Sequence, residues 1–323
     1  MLLLNENNIK RLLTMKDAMT VIEKALELQV TGEYIQPERT FSEVKLNSNF
    51  GLMPCFINEC IGLKVTATFL DNRDLPGDIP VTQGMIIIND INTGEFLAEM
   101  NGTYLTAVKT GAVSGVGIKY LKNNATSVGL VGTGLQGLYQ LIAAMEGAPI
   151  EHIYLYNRNI NKVEAFVHQF KQMTDRDVSI TVADTVNYLV EKSEVIITAT
   201  TSLDPVLPSS SNYANKLIVA VGAYKPYMRE IPEEIFKEAG ILYVDSLDGK
   251  KETGDINDPL TKGWITDSMV IPISNIVSNE HIPKKNEAPL VFKNVNMALF
   301  DTMIAYRVYT EAKKHGIGTE FDF

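Results

Sequence analysis

The stretch VGLVGTGLQG, Val128 to Gly137, decides the fold of this chain. Its apolar first half predicts a buried strand, and its second half has the spacing Gly-x-Gly-x-x-Gly, with Gly132, Gly134 and Gly137. A helix is predicted next, over Leu138 to Glu146, and then a second strand, His152 to Tyr156. A plain tight turn also favours glycine. The order strand, glycine turn, helix and strand is more specific, because it is typical of the unit that holds a dinucleotide pyrophosphate at a helix N-terminus.

Strands and helices continue to alternate on the C-terminal side of this turn. They are predicted at Lys162–Met173, Val178–Val182, Thr185–Glu191, Val195–Thr198, Leu217–Val221 and Leu242–Val244. Alternation of this kind predicts an α/β fold, a doubly wound Rossmann domain with a parallel sheet, over residues 123–294. The polar pair Asn123-Asn124 is the expected boundary of this domain.

The N-terminal part of the chain has a strand-rich pattern. Its predicted elements are helices at Met15–Val30, ending at Gly32, and Leu105–Leu121, strands at Phe41–Leu46, Leu52–Ile57 and Leu63–Leu70, and a hairpin of Gly84–Asp90 with Glu95–Met100. The last helix, Val295–Lys314, is expected to return to this part. Residues 1–122 and 295–323 are therefore predicted to form a second, α+β domain, with the substrate and cofactor meeting in a cleft between the two.

Composition argues against several classes of partner. A net charge of −10 over 323 residues, without clustered Lys and Arg, disfavours nucleic acid. The N-terminus lacks a signal-peptide pattern and no apolar run has the length of a membrane span, so we expect no membrane partner and a cytoplasmic location. Cys55 and Cys60 stand without a second cysteine pair, so we expect half-buried free thiols and no metal.

The residues after the second strand of the glycine unit bear on which dinucleotide binds. An enzyme that uses NAD usually has an acidic residue here for the ribose hydroxyls, whereas one that uses NADP offers an arginine to the 2′-phosphate. This chain reads Tyr156-Asn157-Arg158. Asn157 and Arg158 are therefore assigned to the cofactor site, with NADP(H) favoured and NAD(H) left open.

Several segments, spread over nearly the whole chain, are similar in order and spacing to one known family. They are Gly62–Lys64, Ile86–Met100, Leu105–Ala112, Gly132–Gln136, Val221–Pro226 with Arg229-Glu230, and Val291–Asn294. On these segments the chain resembles the ornithine cyclodeaminase/mu-crystallin family. The resemblance implies a homodimer formed through the strand-rich domain, which is then both the substrate and the dimerisation domain. It also implies a small amino, imino or keto acid as the substrate.

The resemblance implies a basic cluster for the substrate carboxylate, at Arg39, Lys64 and Lys109. A buried carboxylate needs compensating charge, which such a cluster supplies. Lys109 stands where the family usually has arginine, which replaces a two-pronged donor by a point charge. Asp301, on the last helix, is a candidate for recognising the substrate nitrogen, and an exposed helix charge is the alternative.

Tyr224 marks a departure from the cyclodeaminases and the related alanine dehydrogenase, which place an aspartate at the matching position. Tyrosine is neutral at cellular pH, so it is suited to passing a proton or orienting the substrate rather than to acting as a carboxylate. Packing beneath the nicotinamide is the alternative role. Lys64 and Tyr224 are the candidate catalytic residues. The remaining cofactor candidates are Thr110, Leu135, Gln136, Thr200, Val221 and Asn294.

The expected activity is reduction of an α-imino acid, for example the cyclic ketimine Δ1-pyrroline-2-carboxylate, by hydride transfer from NAD(P)H to the C=N bond. The alternatives left open are an NAD⁺-dependent ornithine cyclodeaminase, an amino-acid dehydrogenase or opine-like synthase, and a binding protein of the crystallin type. The substrate side chain is not encoded in any motif of the sequence.

Overall fold

The computed structural model describes residues 1–46, 48–77, 79–283 and 287–322. They form two compact units, one of Met1–Lys109 with Met297–Phe323 and one of Thr110–Asn296. The first division lies 13 or 14 residues before the expected junction at Asn123-Asn124, because one continuous helix, Gly102–Leu121, runs across it. The polar pair follows the end of that helix instead.

The first unit is built on a mixed sheet. Its strands are β1 (Leu2–Leu4), β2 (Thr40–Lys45), β3 (Ser48–Phe56), β4 (Cys60–Phe69), β5 (Thr82–Asp90), β6 (Phe96–Asn101) and β15 (Thr319–Glu320). Its helices are α1 (Glu6–Leu12), α2 (Met15–Thr31), the beginning of α3 (Gly102–Leu121), and α10 (Ala298–His315). Within the described residues the strand order is β15-β1-β6-β5-β4-β3-β2, and the predicted hairpin is confirmed as the antiparallel pair β5 and β6.

The helices of this unit begin and end at residues that satisfy the helix termini. Thr14 and Asp17 form a capping box at the start of α2, and Gly32 ends it in the left-handed conformation, as the sequence predicts. The last helix packs against α2 and strands β3 to β5, which confirms its expected return. It begins at Ala298 rather than Val295, because the backbone of Asn296 has a φ of +72°.

The second unit contains a fully parallel sheet. Its strands are β7 (Ser127–Val131), β8 (His152–Tyr156), β9 (Ser179–Val182), β10 (Val195–Thr198), β11 (Leu217–Ala220), β12 (Leu242–Val244), β13 (Val270–Pro272) and β14 (Leu290–Lys293). Its helices are the remainder of α3, α4 (Leu135–Gly147), α5 (Asn161–Gln172), α6 (Val186–Lys192), α7 (Glu233–Ala239), α8 (Gly254–Thr261) and α9 (Ser274–Val277).

Strand order in the second unit confirms the doubly wound prediction. The described strands follow one another as β13-β12-β14-β11-β10-β7-β8-β9. The chain therefore moves from β7 outward through β8 and β9, and then returns to the other side of β7 with β10 and β11. In such a sheet a dinucleotide binds beyond the carboxyl ends of the strands, at the point where the order reverses. That point lies between β7 and β10.

Candidate active-site residues

The glycine turn between β7 and α4 has the geometry of a phosphate-binding loop. Gly132 has a φ of +104°, and a Cβ there would lie 2.5 Å from the carbonyl oxygen of Ala199. At Gly137 a Cβ would lie 2.6 Å from the carbonyl oxygen of Gly132. Both glycines are thus required by the turn itself. A Cβ at Gly134, the residue before α4, would meet nothing within 4 Å among the described atoms.

These three positions fit a dinucleotide pyrophosphate. The open space at Gly134 lies at the N-terminus of a thirteen-residue helix, where backbone N–H groups and the helix dipole favour an anion. Leu135, which follows, is half exposed, and Gln136 contributes a buried side-chain oxygen for which the described residues offer no hydrogen-bond partner. Backbone N–H groups and the Gln136 side chain at the start of α4 are therefore placed where an anionic ligand could bind.

The end of β8 is tied to the glycine turn. The side-chain amide of Asn157 donates to Thr133 Oγ1 over 2.6 Å, and its oxygen accepts from the backbone N–H of Asn159 over 2.8 Å. Arg158 is exposed beside it. Asn157 thus occupies the position of the usual acidic residue without carrying a negative charge.

A buried carboxylate joins the loops that follow β10 and β11. Glu230 is fully buried and accepts from Thr198 Oγ1 over 2.9 Å, from Thr200 N and Oγ1 over 2.8 and 2.7 Å, and from Gly222 N over 2.6 Å. Burial raises the pKa of the Glu230 carboxyl, and the charge of Lys293 opposes that rise. Thr200 stands at the strand end where the sequence places it, with its hydroxyl bound to Glu230. Sequence reasoning missed Glu230, because a single acidic residue in a loop has no pattern that marks it as buried.

An ion pair between Asp255 and Lys293 lies next to Glu230. Asp255 Oδ1 accepts from the backbone N–H groups of Glu230 and Ile231 over 2.9 and 3.2 Å. Its other oxygen lies 3.4 Å from the ammonium of Lys293, and both side chains are completely buried. The pair fixes the backbone at the point where Glu230 enters the interior.

Tyr224 lies in the loop between β11 and Glu230 and is 45 % exposed. The ammonium of Lys225 is 5.8 Å from the centre of its ring. Val221, at the start of this loop, donates its backbone N–H to the carbonyl of Thr198 over 2.9 Å. The phenol is therefore held on a loop anchored at the carboxyl ends of the parallel strands.

Asn294 and Thr110 bind groups within the second unit. The amide nitrogen of Asn294, which is 1 % exposed, donates to the carbonyl of Thr110 over 2.8 Å and to Ser114 Oγ over 2.9 Å. The hydroxyl of Thr110 donates to Asn296 Oδ1 over 3.1 Å. These two predicted cofactor residues thus connect α3 to the segment after β14.

The first unit brings three of the predicted substrate residues together. Asp301 Oδ1 lies 3.4 Å from Lys64 Nζ, and its Oδ2 lies 3.0 Å from Lys109 Nζ. Lys64, Lys109 and Asp301 are 7 %, 1 % and 2 % exposed. Asp301 is therefore a buried ion-pair partner rather than the exposed helix charge of the alternative interpretation. We call these three residues the Lys-Asp-Lys cluster.

The charges in this cluster favour the ionised form of Asp301. Burial alone would raise the pKa of Asp301, but the two ammonium groups and their hydrogen bonds outweigh it and lower the pKa below its usual range. Two lysine ammonium groups thus share the carboxylate of Asp301 among side chains that are nearly fully buried. Such a cluster is suited to binding one further carboxylate. Arg39 is half-buried just before β2, with its guanidinium 5.9 Å from the ring centre of Phe41.

The two cysteines are more deeply placed than expected. Cys55 and Cys60 are both completely buried and neither is in a disulfide, and burial raises the pKa of each thiol to about 12. The thiols are therefore protonated at neutral pH. Within the described part of the chain, no three His, Cys, Asp or Glu side chains gather as they would around a metal ion. None of the helices described there is long and apolar enough to cross a bilayer.

Comparison with known proteins identifies the family. The profile of the ornithine cyclodeaminase/mu-crystallin family matches residues 1–316. The chain belongs to the ornithine cyclodeaminase/mu-crystallin family. A member of similar length, the Δ1-pyrroline-2-carboxylate reductase of Bacillus cereus (strain ZK / E33L), is 29 % identical over 332 residues, covering 100 % of both chains.

Two solved structures are similar along their whole length. The Δ1-pyrroline-2-carboxylate reductase of Thermococcus litoralis, in complex with NADH and L-proline, has a TM-score of 0.93 and 30 % identity, covering 99 % of this chain and 100 % of that one. An archaeal alanine dehydrogenase dimer with bound NAD has a TM-score of 0.91 and 27 % identity, covering 100 % and 99 %. These relatives include proteins named as reductases of a cyclic imino acid, and both solved structures hold a nicotinamide dinucleotide.

Proposed function

We propose that this protein reduces an α-imino acid with NAD(P)H, and that Δ1-pyrroline-2-carboxylate is its substrate and L-proline its product. The observation that carries the proposal is the Lys-Asp-Lys cluster, in which two buried ammonium groups share one buried carboxylate. The glycine turn adds open backbone at a helix start, which fits the dinucleotide. The named relatives supply the substrate class.

In this proposal Lys64 and Lys109 bind the substrate carboxylate and so orient the imine carbon. Each ammonium group has three N–H donors, and both donate to Asp301. Asp301 holds the two lysines in place, and its recognition of the substrate nitrogen stays a prediction. Arg39 is kept as a third cation for the carboxylate.

The cofactor, when bound, supplies the hydride that the imine carbon receives. The nitrogen of the imine carries a proton when it is reduced, since a protonated imine is the better electrophile. One NAD(P)H and one proton are thus consumed for each amine formed. The phenol of Tyr224 is half exposed, and we assign it the task of passing or positioning that proton.

We further propose that NADPH is preferred over NADH. Asn157 leaves the adenosine ribose without a negatively charged partner, and Arg158 is exposed beside it for a 2′-phosphate. The test is kcat/KM with each cofactor at saturating imino acid. We expect NADPH to have the higher value and Arg158→Ala to lower it for NADPH alone, whereas faster turnover with NADH would contradict this role of Arg158.

Amino-acid dehydrogenation is the second candidate, favoured by the likeness to the archaeal alanine dehydrogenase. It differs from the first in using a keto acid with ammonia in place of a preformed imine. Tyr224 stands where the resemblance expects an aspartate in the cyclodeaminases and in the alanine dehydrogenase, so it counts against both cyclodeamination and amino-acid dehydrogenation. A panel of imino acids, keto acids with ammonia or amines, and ornithine, followed at the absorbance band of reduced nicotinamide, separates these activities.

We also propose that the protein is a homodimer whose interface includes strands β2 and β3. All of β2 is exposed, and large apolar side chains are exposed on β2 (Phe41 and Val44), directly after it (Leu46) and on β3 (Phe50 and Leu52). An exposed apolar edge of this kind is typical of an interface. Light scattering should give the mass of two chains, and Leu52→Asp should lower it to that of one. A monomeric wild-type protein would refute this arrangement.

A further inference from the structure

We infer that Glu230 is a positioning residue for the nicotinamide half of the cofactor. It acts by fastening together the loops that follow the neighbouring strands β10 and β11. The inference rests on the proposed dinucleotide site and extends it to a residue that the glycine motif does not include. Its basis is the geometry of one carboxylate and the two loops that donate to it.

The four hydrogen bonds of Glu230 come from both loops. Thr198 ends β10 and Thr200 follows it, while Gly222 follows β11. Thr200 donates its backbone N–H and its hydroxyl to Oε1, and Gly222 and Thr198 donate to Oε2. Each carboxylate oxygen thus accepts two donors. This side chain therefore joins two loops that backbone hydrogen bonds also connect, from Arg229 N to Leu203 O over 3.3 Å and from Val206 N to Glu230 O over 2.9 Å.

The two loops also approach each other closely. A Cβ at Gly222 would lie 2.1 Å from the carbonyl oxygen of Thr200 and 2.6 Å from Glu230 Oε1. Glycine is therefore needed at position 222 for the carboxylate to reach both loops. Glu230 also closes the segment 222–230 on itself, since its side chain binds the first residue of that segment. This closed loop presents Tyr224.

Asp255 and Lys293 hold Glu230 from the other side. Asp255 binds the backbone N–H of Glu230, so the position of the glutamate is fixed at its main chain as well as at its carboxylate. Lys293 ends β14, the strand next to β11, and its ammonium pairs with Asp255. The network therefore begins at one strand end and fixes the loops after two others.

The location of these loops indicates which half of the cofactor they serve. In a doubly wound sheet the first βα turn binds the pyrophosphate, and the residue after the second strand binds the adenosine ribose. Here those positions are the glycine turn after β7 and Asn157 after β8. The nicotinamide half consequently extends to the opposite side of the switch point, beyond β10 and β11. The carboxyl group of Glu230 lies at the carboxyl ends of these two strands.

Glu230→Gln tests the inference, because the amide presents an N–H₂ group to donors that need an acceptor. Calorimetric titration compares NADPH with 2′,5′-ADP, which has the adenosine half but no nicotinamide, and NADH with ADP in the same way. We expect an affinity for the reduced dinucleotide lower by about 10-fold or more and an affinity for the adenine nucleotide unchanged within about 2-fold. A drop in kcat with the KM for the imino acid unchanged is expected as well.

Glu194→Gln is the matched control. Glu194 also accepts from a threonine backbone N–H and hydroxyl, those of Thr126 over 2.7 and 3.0 Å, but it lies at the amino end of β10. Its replacement should leave both affinities unchanged. Should Glu230→Gln fail to fold, Thr198→Val removes one donor to the same carboxylate and should lower dinucleotide affinity a few-fold in the same selective way.

Two outcomes would overturn the inference. Suppose the wild-type protein binds the dinucleotide, and the Glu230 and Thr198 variants keep wild-type affinity for both the dinucleotide and the adenine nucleotide, or lose affinity for both equally. The inference then fails while the proposed function stands. If the wild-type protein binds neither NADPH nor NADH, the proposed function fails and the inference fails with it.

Discussion

Replacing Lys64 by methionine is the sharpest perturbation of the proposed carboxylate site. Methionine keeps most of the length and the apolar stem of lysine, so packing on β4 is retained while the charge is lost. The remaining Lys109 and Asp301 form a neutral pair at 3.0 Å, which changes the net charge of the Lys-Asp-Lys cluster from positive to zero. The perturbation is therefore almost purely electrostatic.

The magnitude follows from the lost interaction. A hydrogen bond to a charged group contributes about 1.5–3 kcal/mol, which corresponds to a decrease of about 10- to 150-fold in kcat/KM for the imino acid. Lys64 is the better choice than Lys109 for this test. Its bond to Asp301, at 3.4 Å, is the longer of the two, so its removal disturbs the buried carboxylate less.

Steady-state kinetics with Δ1-pyrroline-2-carboxylate at saturating NADPH measures the effect, and titration with NADPH alone checks the cofactor site. Lys314→Met is the control, since Lys314 lies in the same unit with a side chain that is 69 % exposed. We expect the control to retain wild-type kinetics and Lys64→Met to retain wild-type affinity for NADPH. A change in kcat/KM of less than about 2-fold would refute the assignment of Lys64 to the substrate carboxylate.

Three further predictions follow from the geometry. Asp301→Asn removes the carboxylate that Lys64 and Lys109 share and should lower the free energy of unfolding by about 3–5 kcal/mol at pH 7. The folded-state pKa of Asp301 is lowered, so its contribution to stability is complete above its unfolded pKa of about 4 and is lost as the pH falls further. Urea unfolding at pH 3 should therefore show a smaller difference in stability between the wild-type protein and Asp301→Asn than at pH 7. An equal difference at both pH values would contradict the ion pairing. Gly134→Val should fold normally but bind NADPH about 10-fold or more weakly, as measured by calorimetry. Gly132→Ala should instead lower the melting temperature, since only this substitution places a Cβ against the backbone. Equal losses of stability in the two variants would contradict the open space at Gly134. Cys55 and Cys60 should react with a thiol reagent at pH 8 only after denaturation, because both are buried and protonated; rapid labelling of the native protein would contradict this.

Much of the fold could be predicted from local patterns. The glycine turn, the β5–β6 hairpin and α2 with its terminal Gly32 each have a signature confined to about twenty residues or fewer, and the structure confirms them. Strands β13 and β14 were not predicted, because β13 ends at Pro272 and Pro289 directly precedes β14, and proline argues against a strand. The division between Lys109 and Thr110 has no local sequence signal either, because it lies within the continuous helix α3.

The residues of the Lys-Asp-Lys cluster could be named from the sequence, whereas their pairing and the buried position of Glu230 could not. Lys64 interrupts an apolar strand, which singles it out, and the resemblance adds Lys109. Asp301 is separated from these lysines by 237 and 192 residues, so no local pattern links the three. Glu230 likewise serves groups brought together only by the order of β10, β11 and β14 in the sheet. Partners of this kind are defined by tertiary structure alone.

The most direct test of the proposed function is the stoichiometry of a single reaction. Purified protein is incubated with Δ1-pyrroline-2-carboxylate and NADPH, and separately with NADH, while oxidised cofactor, L-proline and ammonia are all measured. The proposal predicts one L-proline formed for each reduced cofactor consumed, with no release of ammonia. Absence of cofactor oxidation with the imino acid, together with ammonia release from ornithine at constant cofactor, would contradict it and indicate a cyclodeaminase.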